Sequence, residues 1–121
     1  MTKFRIWYTR PERFADFASG LTWCRVHDSL PRLPREEQRE TATHILLTEI
    51  EASSLEEAYA AMQAERWSPN GEATNLIMRR GLSHTSMSVG DMAEDEQGRF
   101  WFCDNFGFTQ LGDGGHACGA P

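Results

Sequence analysis

The sequence contains no run of about 18 consecutive apolar residues, the length that a membrane-spanning helix needs. Its first residues, MTKFRIWYTRPE, lack the basic start, apolar core and small-residue cleavage site of a signal peptide. The cysteines, Cys24, Cys103 and Cys118, are widely spaced and odd in number, so a disulfide framework is not expected. These absences predict a reduced protein in the cytoplasm, with no membrane partner.

The sequence also lacks the common motifs of metal, phosphate and nucleophilic chemistry. Its histidines are scattered, and no C-x-x-C, H-E-x-x-H or calcium-loop spacing occurs, so no metal is expected. The glycine-rich stretch GDGGHACG has neither the lysine nor the following helix of a phosphate-binding loop. No G-x-S-x-G elbow is present. We therefore expect no cofactor, and a binding protein in preference to an enzyme.

The charge is acidic and unevenly distributed. A formal net charge of −6 argues against a dedicated nucleic-acid binder, because phosphate contacts require Lys and Arg. The first 40 residues hold most of the arginines, whereas the remainder is acidic. An acidic face could bind a host protein or nucleoprotein complex with a basic surface. The expected contact residues are Glu49, Glu51, Glu56, Glu57, Glu65, Asp91, Glu94, Asp95 and Glu96, with Trp67 as an aromatic anchor.

Hydrophobic periodicity predicts the main elements of the first half. Alternation over Lys3–Thr9 and over Thr43–Ala52 predicts two strands. The second strand is apolar on both faces, which favours a central position in a sheet. Ser54 and Glu57 form a capping-box pattern at the start of the clearest helix.

Weaker patterns lie between and after these elements. RPERFADFASG and EATNLIMRRG predict two shorter helices, the second stopped by Gly81. LTWCRVH is a strand candidate, and DSLPRLPREEQRE predicts a loop followed by one helical turn, with its charges on a solvated face.

The character changes to β after Gly81. TSMSV alternates and predicts a strand, and EDEQG has the composition of a hairpin loop. RFWFCD predicts the next strand, and NFGFTQL a final strand after a kink at Gly107.

Together the elements predict an α+β fold. It is a single small domain over residues 1–111, with an antiparallel or mixed sheet, a capped helix packed across the sheet and a C-terminal β-hairpin. Residues 112–121 are expected to form a flexible glycine-rich tail. An exposed edge at KFRIWYT or at the last strand could pair with a second copy to give a homodimer.

The stretch GLSHTSMSVGDM carries the residue types of a hydrolase triad. A small hydrolase that uses His84 and Ser86, with Asp91 nearby, is therefore an alternative function. Triads, however, are assembled from distant segments with an oxyanion hole, so this one would need a partner such as His44 or Arg79. We favour the interpretation of a strand and a tight turn that lead into the hairpin.

A nucleic-acid module is a further alternative. It requires the arginines of the first third to gather on one face, because scattered cations do not follow a phosphate backbone. The residues concerned are Arg5, Arg10, Arg25 and Arg35.

The C-terminal half resembles a group of small proteins. WSPNGEATNLIMRRGLSHTSMSVGDM followed by GRFWFCDNFGF is similar to proteins encoded by phages, plasmids and integrated elements. Its S-V-G-D turn, hairpin and closing G-F resemble the YodL-like group over about a third of the chain. The resemblance implies no catalytic residue. It implies a mobile-element protein in a bacterial host that binds host machinery noncovalently, first of all as an inhibitor of a defence system such as CRISPR-Cas. The alternative is an accessory or regulatory binding protein of the element itself.

Overall fold

The computed structural model describes residues 1–26, 43–63, 67, 72–82, 84, 86–105 and 107–111, with the backbone alone for Trp23, Arg25 and Glu72. The elements in chain order are β1 (Thr2–Thr9), a 3-10 turn (Pro11–Arg13), α1 (Phe14–Phe17), α2 (Leu21–Val26), β2 (His44–Ala52), α3 (Leu55–Ala61), α4 (Glu72–Arg79), β3 (Met92–Glu94), β4 (Phe100–Cys103) and β5 (Phe108–Leu111). They confirm the α+β prediction. The five strands form an antiparallel sheet in the order β2-β1-β3-β4-β5. The predicted loop at residues 28–40 and the predicted tail at 112–121 lie outside the described residues.

The sheet is covered on both faces by helices. On one face, the β1 residues Phe4, Ile6 and Tyr8 belong to a cluster that includes Met62 after α3 and Ile77 of α4. On the other face, Trp7 of β1 belongs to a second cluster. Its remaining buried members are Phe17, Leu21 and Cys24 from the first helical segment and Met92, Phe100, Phe102 and Leu111 from the hairpin region. Successive strand residues point to opposite faces, so β1 contributes to both clusters.

β2 is an edge strand, and its predicted central position is wrong. Among the described strands it pairs only with β1. It is nevertheless apolar on both sides, because Leu46 packs against the second cluster while Ile45 and Leu47 lie in the first. The pairing shifts between Ile6 and Trp7, where one extra β2 residue interrupts the alternation. β2 is therefore apolar on both faces because helices pack against both faces of the sheet. This apolarity does not indicate whether the strand is central or at an edge.

Residues Leu21–Val26 of the segment LTWCRVH form α2, so the predicted strand is wrong. Leu21 and Cys24 are buried three residues apart while Thr22 and Val26 are exposed, which is a helical spacing. The other helical predictions are confirmed. The Ser54 side chain accepts a hydrogen bond from the backbone N–H of Glu57 at 3.1 Å and so caps α3.

The predicted strand at TSMSV is also wrong. Met87 is tied to the end of α3, since its backbone N–H donates to the carbonyl of Met62 at 3.2 Å. The turn closes where the Asp91 N–H donates to the Ser88 carbonyl at 3.0 Å, and the strand begins at Met92. The hairpin that follows is confirmed, with Asp95 N–H donating to the Arg99 carbonyl at 2.9 Å.

Candidate functional site

Asp91 is fully buried just before β3, and its carboxylate joins three parts of the chain. Oδ1 accepts a hydrogen bond from the backbone N–H of Thr9 at 2.8 Å. Oδ2 accepts from the backbone N–H of Ser88 at 2.8 Å and lies 3.0 Å from Nε2 of His84. The Asp91 carbonyl accepts from the Cys103 N–H at 2.8 Å. The expectation that Asp91 belongs to an exposed acidic surface is therefore wrong, because its buried carboxylate bonds to β1, the turn and His84, while its backbone carbonyl bonds to β4.

His84 lies against this carboxylate between two aromatic rings. Its ring stacks on Tyr8 with centroids 4.5 Å apart and is tilted against Phe14 at 5.0 Å. A carboxylate only accepts hydrogen bonds, so we assign the hydrogen to Nε2 of His84, which donates to Asp91. Burial first, and the carboxylate of Asp91 second, raise the pKa of the Tyr8 hydroxyl well above its ordinary value. Tyr8 therefore stays a neutral phenol beside this pair.

The pair of His84 and Asp91 is the acid–base half of the hydrolase alternative. In a triad the second ring nitrogen accepts a hydrogen bond from the nucleophilic hydroxyl. Nδ1 of His84 is buried and has no hydrogen-bond partner, so the Ser86 hydroxyl is not bonded to it. The geometry brings the base and its orienting acid together, but it does not place the Ser86 hydroxyl as their nucleophile.

His44 forms a second buried centre on the same turn. Its side chain is fully buried and packs against Phe17 with ring centroids 5.4 Å apart. Nε2 lies 2.6 Å from the carbonyl oxygen of Gly90, and Nδ1 lies 2.8 Å from the hydroxyl of Thr43. A neutral ring with its hydrogen on Nε2 satisfies both contacts, since it donates to the carbonyl and accepts from the hydroxyl. Burial lowers the pKa of His44 to about 4, so the ring is neutral at physiological pH.

The predicted acidic residues come together partly, at the end of the sheet beside the hairpin. Four of them line one polar groove of 360 Å³ with two basic residues. We call this the acidic groove; its residues are Lys3, Arg5, Glu49, Glu94, Asp95, Glu96 and Gly98. Glu51 lies opposite Lys3 in the pairing of β2 with β1, and its side chain is exposed.

Some of these carboxylates are engaged within the chain. Asp95 is buried and accepts hydrogen bonds from the Arg99 guanidinium at 2.7 Å and the Trp101 indole N–H at 3.1 Å. Burial alone would raise the pKa of Asp95, but these bonds and those from two backbone N–H groups outweigh it and lower the pKa. The expectation of an exposed Asp95 is therefore wrong. Glu94 accepts from the Trp7 indole at 3.2 Å and is mostly covered.

Glu49 and Glu96 remain at the surface of the groove. Glu49 lies 3.7 Å from the Arg5 guanidinium, and both side chains are about half exposed. Glu96 accepts a hydrogen bond from the backbone N–H of Lys3 at 2.7 Å and is exposed. With Glu51, these residues make the acidic groove a surface on which carboxylates outnumber cations.

The other predicted contact residues lie elsewhere. Glu56 and Glu57 are exposed on α3, which covers the opposite face of the sheet. Trp67 is partly buried and packs against the first cluster, which is the role of a core residue and not of an exposed anchor. Glu65 lies outside the described residues. The predicted contact residues that the structure describes therefore lie in three places: at the acidic groove, on α3 and in the protein interior.

A cleft that the sequence analysis did not anticipate lies between α3 and the turn that joins β4 to β5. Its volume is 360 Å³, and apolar surface predominates in its lining. Tyr59 and Phe108 form one wall, with their rings nearly perpendicular and centroids 6.4 Å apart. Glu56 and Asp104 also line it, and Cys103 contributes to it from β4. No sequence motif marks these residues, because they are brought together by strand pairing and helix packing.

The structure describes the side chains of two of the four arginines of the alternative nucleic-acid module, Arg5 and Arg10. Arg5 lies in the acidic groove, between Glu49 and Glu94. Arg10 follows β1, where its backbone N–H donates to the Thr43 carbonyl at 2.8 Å. The side chain of Arg25 and all of Arg35 lie outside the described residues.

Within the described ranges, no group of three or more His, Cys, Asp or Glu side chains could hold a metal ion. None of the helices described is long and apolar enough to cross a membrane. Cys24 and Cys103 are both buried free thiols, while Cys118 lies outside the described residues. Comparisons with protein-family models, with curated proteins and with solved structures found no match.

Proposed function

We propose that this chain is a noncovalent binding protein whose acidic groove docks on a basic surface of a protein or nucleoprotein partner. The observation that carries the proposal is the groove itself, where Glu49, Glu96 and the neighbouring Glu51 are exposed and the described lining residues include two cations, Lys3 and Arg5. Complementary charge accelerates encounter and selects partners, which suits a protein that acts by occupying a Lys- and Arg-rich surface.

The partner that we propose is host machinery that handles nucleic acid, first of all a bacterial defence complex such as a CRISPR-Cas effector. Such complexes present basic channels to a phosphate backbone, and a carboxylate surface can occupy them. The resemblance of residues 67–111 to mobile-element proteins supports this choice. Binding to the element's own machinery is the alternative, and it would use the same groove.

The test compares phage plating on cells that carry an active CRISPR-Cas or restriction system and express either the wild-type chain or a variant. We expect the wild type to raise plating efficiency and to be recovered with the nucleoprotein complex. The double variant Glu49→Gln/Glu51→Gln removes two exposed carboxylates with little change in shape. We expect it to bind the complex about two- to tenfold more weakly, with a shallower dependence on salt.

The matched control is Glu12→Gln/Glu57→Gln, which makes the same change in net charge at exposed residues outside the groove. Equal loss of binding in the two double variants would show that net charge, and not the groove, attracts the partner. Unchanged plating and no captured nucleoprotein with the wild type would refute defence inhibition.

A further inference from the structure

The cleft between α3 and the β4–β5 turn has the composition of a pocket for one cationic side chain. Tyr59 lies on α3 with 38% of its surface exposed, and Phe108 begins β5. Their near-perpendicular rings offer one aromatic face beside one edge. An aromatic face attracts a guanidinium or ammonium group through its quadrupole, and its apolar surface packs against the aliphatic stem of the same side chain.

Carboxylates complete this environment. Glu56 is exposed on α3 and makes no hydrogen bond or ion pair within the described chain. Asp104 is held in place, because its Oδ1 accepts the backbone N–H of Leu21 at 3.1 Å and its Oδ2 accepts the Thr109 hydroxyl at 3.2 Å. No lysine, arginine or histidine is among the described residues that line the cleft. Among these described residues, a cation that enters therefore meets carboxylates and no competing cation.

The carboxylates near the cleft also act on the thiol of Cys103. This thiol lines the cleft but is only 4% exposed. Burial first, and then the carboxylates of Asp91 and Asp104, raise its pKa to about 12. Burial disfavours a charge of either sign, but the carboxylates that disfavour a thiolate at this wall also attract a cation in the open part of the cleft. The un-ionised thiol adds no reactive group.

From these observations we infer that the cleft binds a single arginine or lysine side chain of the basic partner. The volume of 360 Å³ lies at the low end of the range of about 300 to 1,000 Å³ for ligand pockets and suits one long side chain. The inference rests on the proposed function for its partner and adds a second contact, on the opposite side of the sheet from the acidic groove.

The binding test needs no host partner. The ¹⁵N-labelled chain is titrated with a capped Gly-Arg-Gly peptide, and amide shifts are followed by NMR spectroscopy. We expect saturable shifts at Tyr59, Asp104 and Phe108 with a dissociation constant of millimolar order, since one side chain supplies the contact. A capped Gly-Lys-Gly peptide tests the second cation, and a peptide with norleucine supplies the apolar stem without charge. Norleucine binding equal to arginine binding would overturn the inference, as would the absence of shifts with both cationic peptides.

Substitutions locate the site. Glu56→Gln and Tyr59→Ala should each weaken arginine-peptide binding by about two- to fivefold, through loss of an ion pair or of an aromatic wall. Glu57→Gln is the matched control, because Glu57 is the next residue on α3 and does not line the cleft. Each variant is checked for folding by its amide spectrum. Equal weakening by Glu57→Gln would overturn the assignment to the cleft.

The two proposals fail in different ways. If neither cationic peptide binds but Glu49→Gln/Glu51→Gln still reduces partner capture, the cleft inference falls and the groove proposal stands. Should the peptide bind in the cleft while no basic partner is captured, the cleft is a cation site and the proposed function falls.

Discussion

As the pH falls, protonation of His44 should lower the free energy of unfolding at a higher pH than protonation of the carboxylates does. The ring is fully buried, and its Nε2 lies 2.6 Å from the Gly90 carbonyl. Nδ1 lies 2.8 Å from the Thr43 hydroxyl, which donates to it when the ring is neutral. Protonation would place a donor at Nδ1 and a charge inside the protein, so the cost comes from burial and from a lost acceptor.

The magnitude follows from the pKa of His44 in the two states. Burial, opposed by the Gly90 carbonyl and the Asp91 carboxylate, lowers it to about 4 in the folded protein, against about 6.5 in an unfolded chain. Between these values the unfolded chain binds the proton and the folded one does not, so the free energy of unfolding falls as the pH falls. The loss should be absent well above about pH 6.5, about 1.4 kcal/mol at about pH 5.5 and about 3 kcal/mol below about pH 4.

Urea denaturation at a series of pH values measures this loss when the wild type is compared with His44→Gln. The glutamine amide can donate to Gly90 but does not titrate. The variant should be less stable by about 1 to 3 kcal/mol near neutrality because its two hydrogen bonds fit less well. That difference should shrink by about 1.4 kcal/mol on going to about pH 5.5. A constant difference across the range would refute the assignment of acid sensitivity to His44.

Four other substitutions, one of them a control, test single features of the fold. Gly90→Ala should lower the free energy of unfolding by more than about 3 kcal/mol, because φ is +103° and an added Cβ would lie 2.7 Å from a side-chain carbon. Gly98→Ala is the control: at φ +80° an added Cβ meets no atom within 4 Å, so the loss should be about 1 kcal/mol. Thermal melts compare the two variants. Ser54→Ala removes the α3 cap and should cost about 1 kcal/mol in urea denaturation. Asp95→Asn should cost about 2 kcal/mol at neutral pH, with the difference fading as the pH falls through the lowered pKa of the native carboxyl, which Trp101 fluorescence can follow.

Local patterns predicted those elements whose stability is local or whose alternation matches burial. The Ser54 cap and the hairpin loop around EDEQG follow from side-chain hydrogen bonds over three or four residues, and such signals are readable in a short window. β1 and β4 were predicted correctly as strands, because alternate residues of each, such as Ile6 and Tyr8 or Phe100 and Phe102, lie in one buried cluster. The α+β class follows from these elements together.

The failed predictions concern residues whose hydrogen-bond partners are distant in the sequence. TSMSV alternates as a strand does, but its backbone groups bond to the end of α3 and to the Asp91 carboxylate in place of a neighbouring strand. Asp91 in turn bonds to Thr9, which lies 82 residues away in the chain. No window of sequence contains that pair, so a buried acid could not be distinguished from a solvated one.

Whether an acidic residue is buried or exposed also determines which substitutions can test the acidic groove. Of the four hairpin acids that the sequence offers, Asp91 and Asp95 are buried structural acceptors and Glu94 is held by Trp7. Removing either aspartate would destabilise the fold, and the loss of partner binding would follow from unfolding alone. Exposed acids such as Glu49 can be neutralised with the fold intact, because their partners are half exposed as well. A binding defect is therefore informative only when it comes from this outer set and is matched by an unchanged free energy of unfolding.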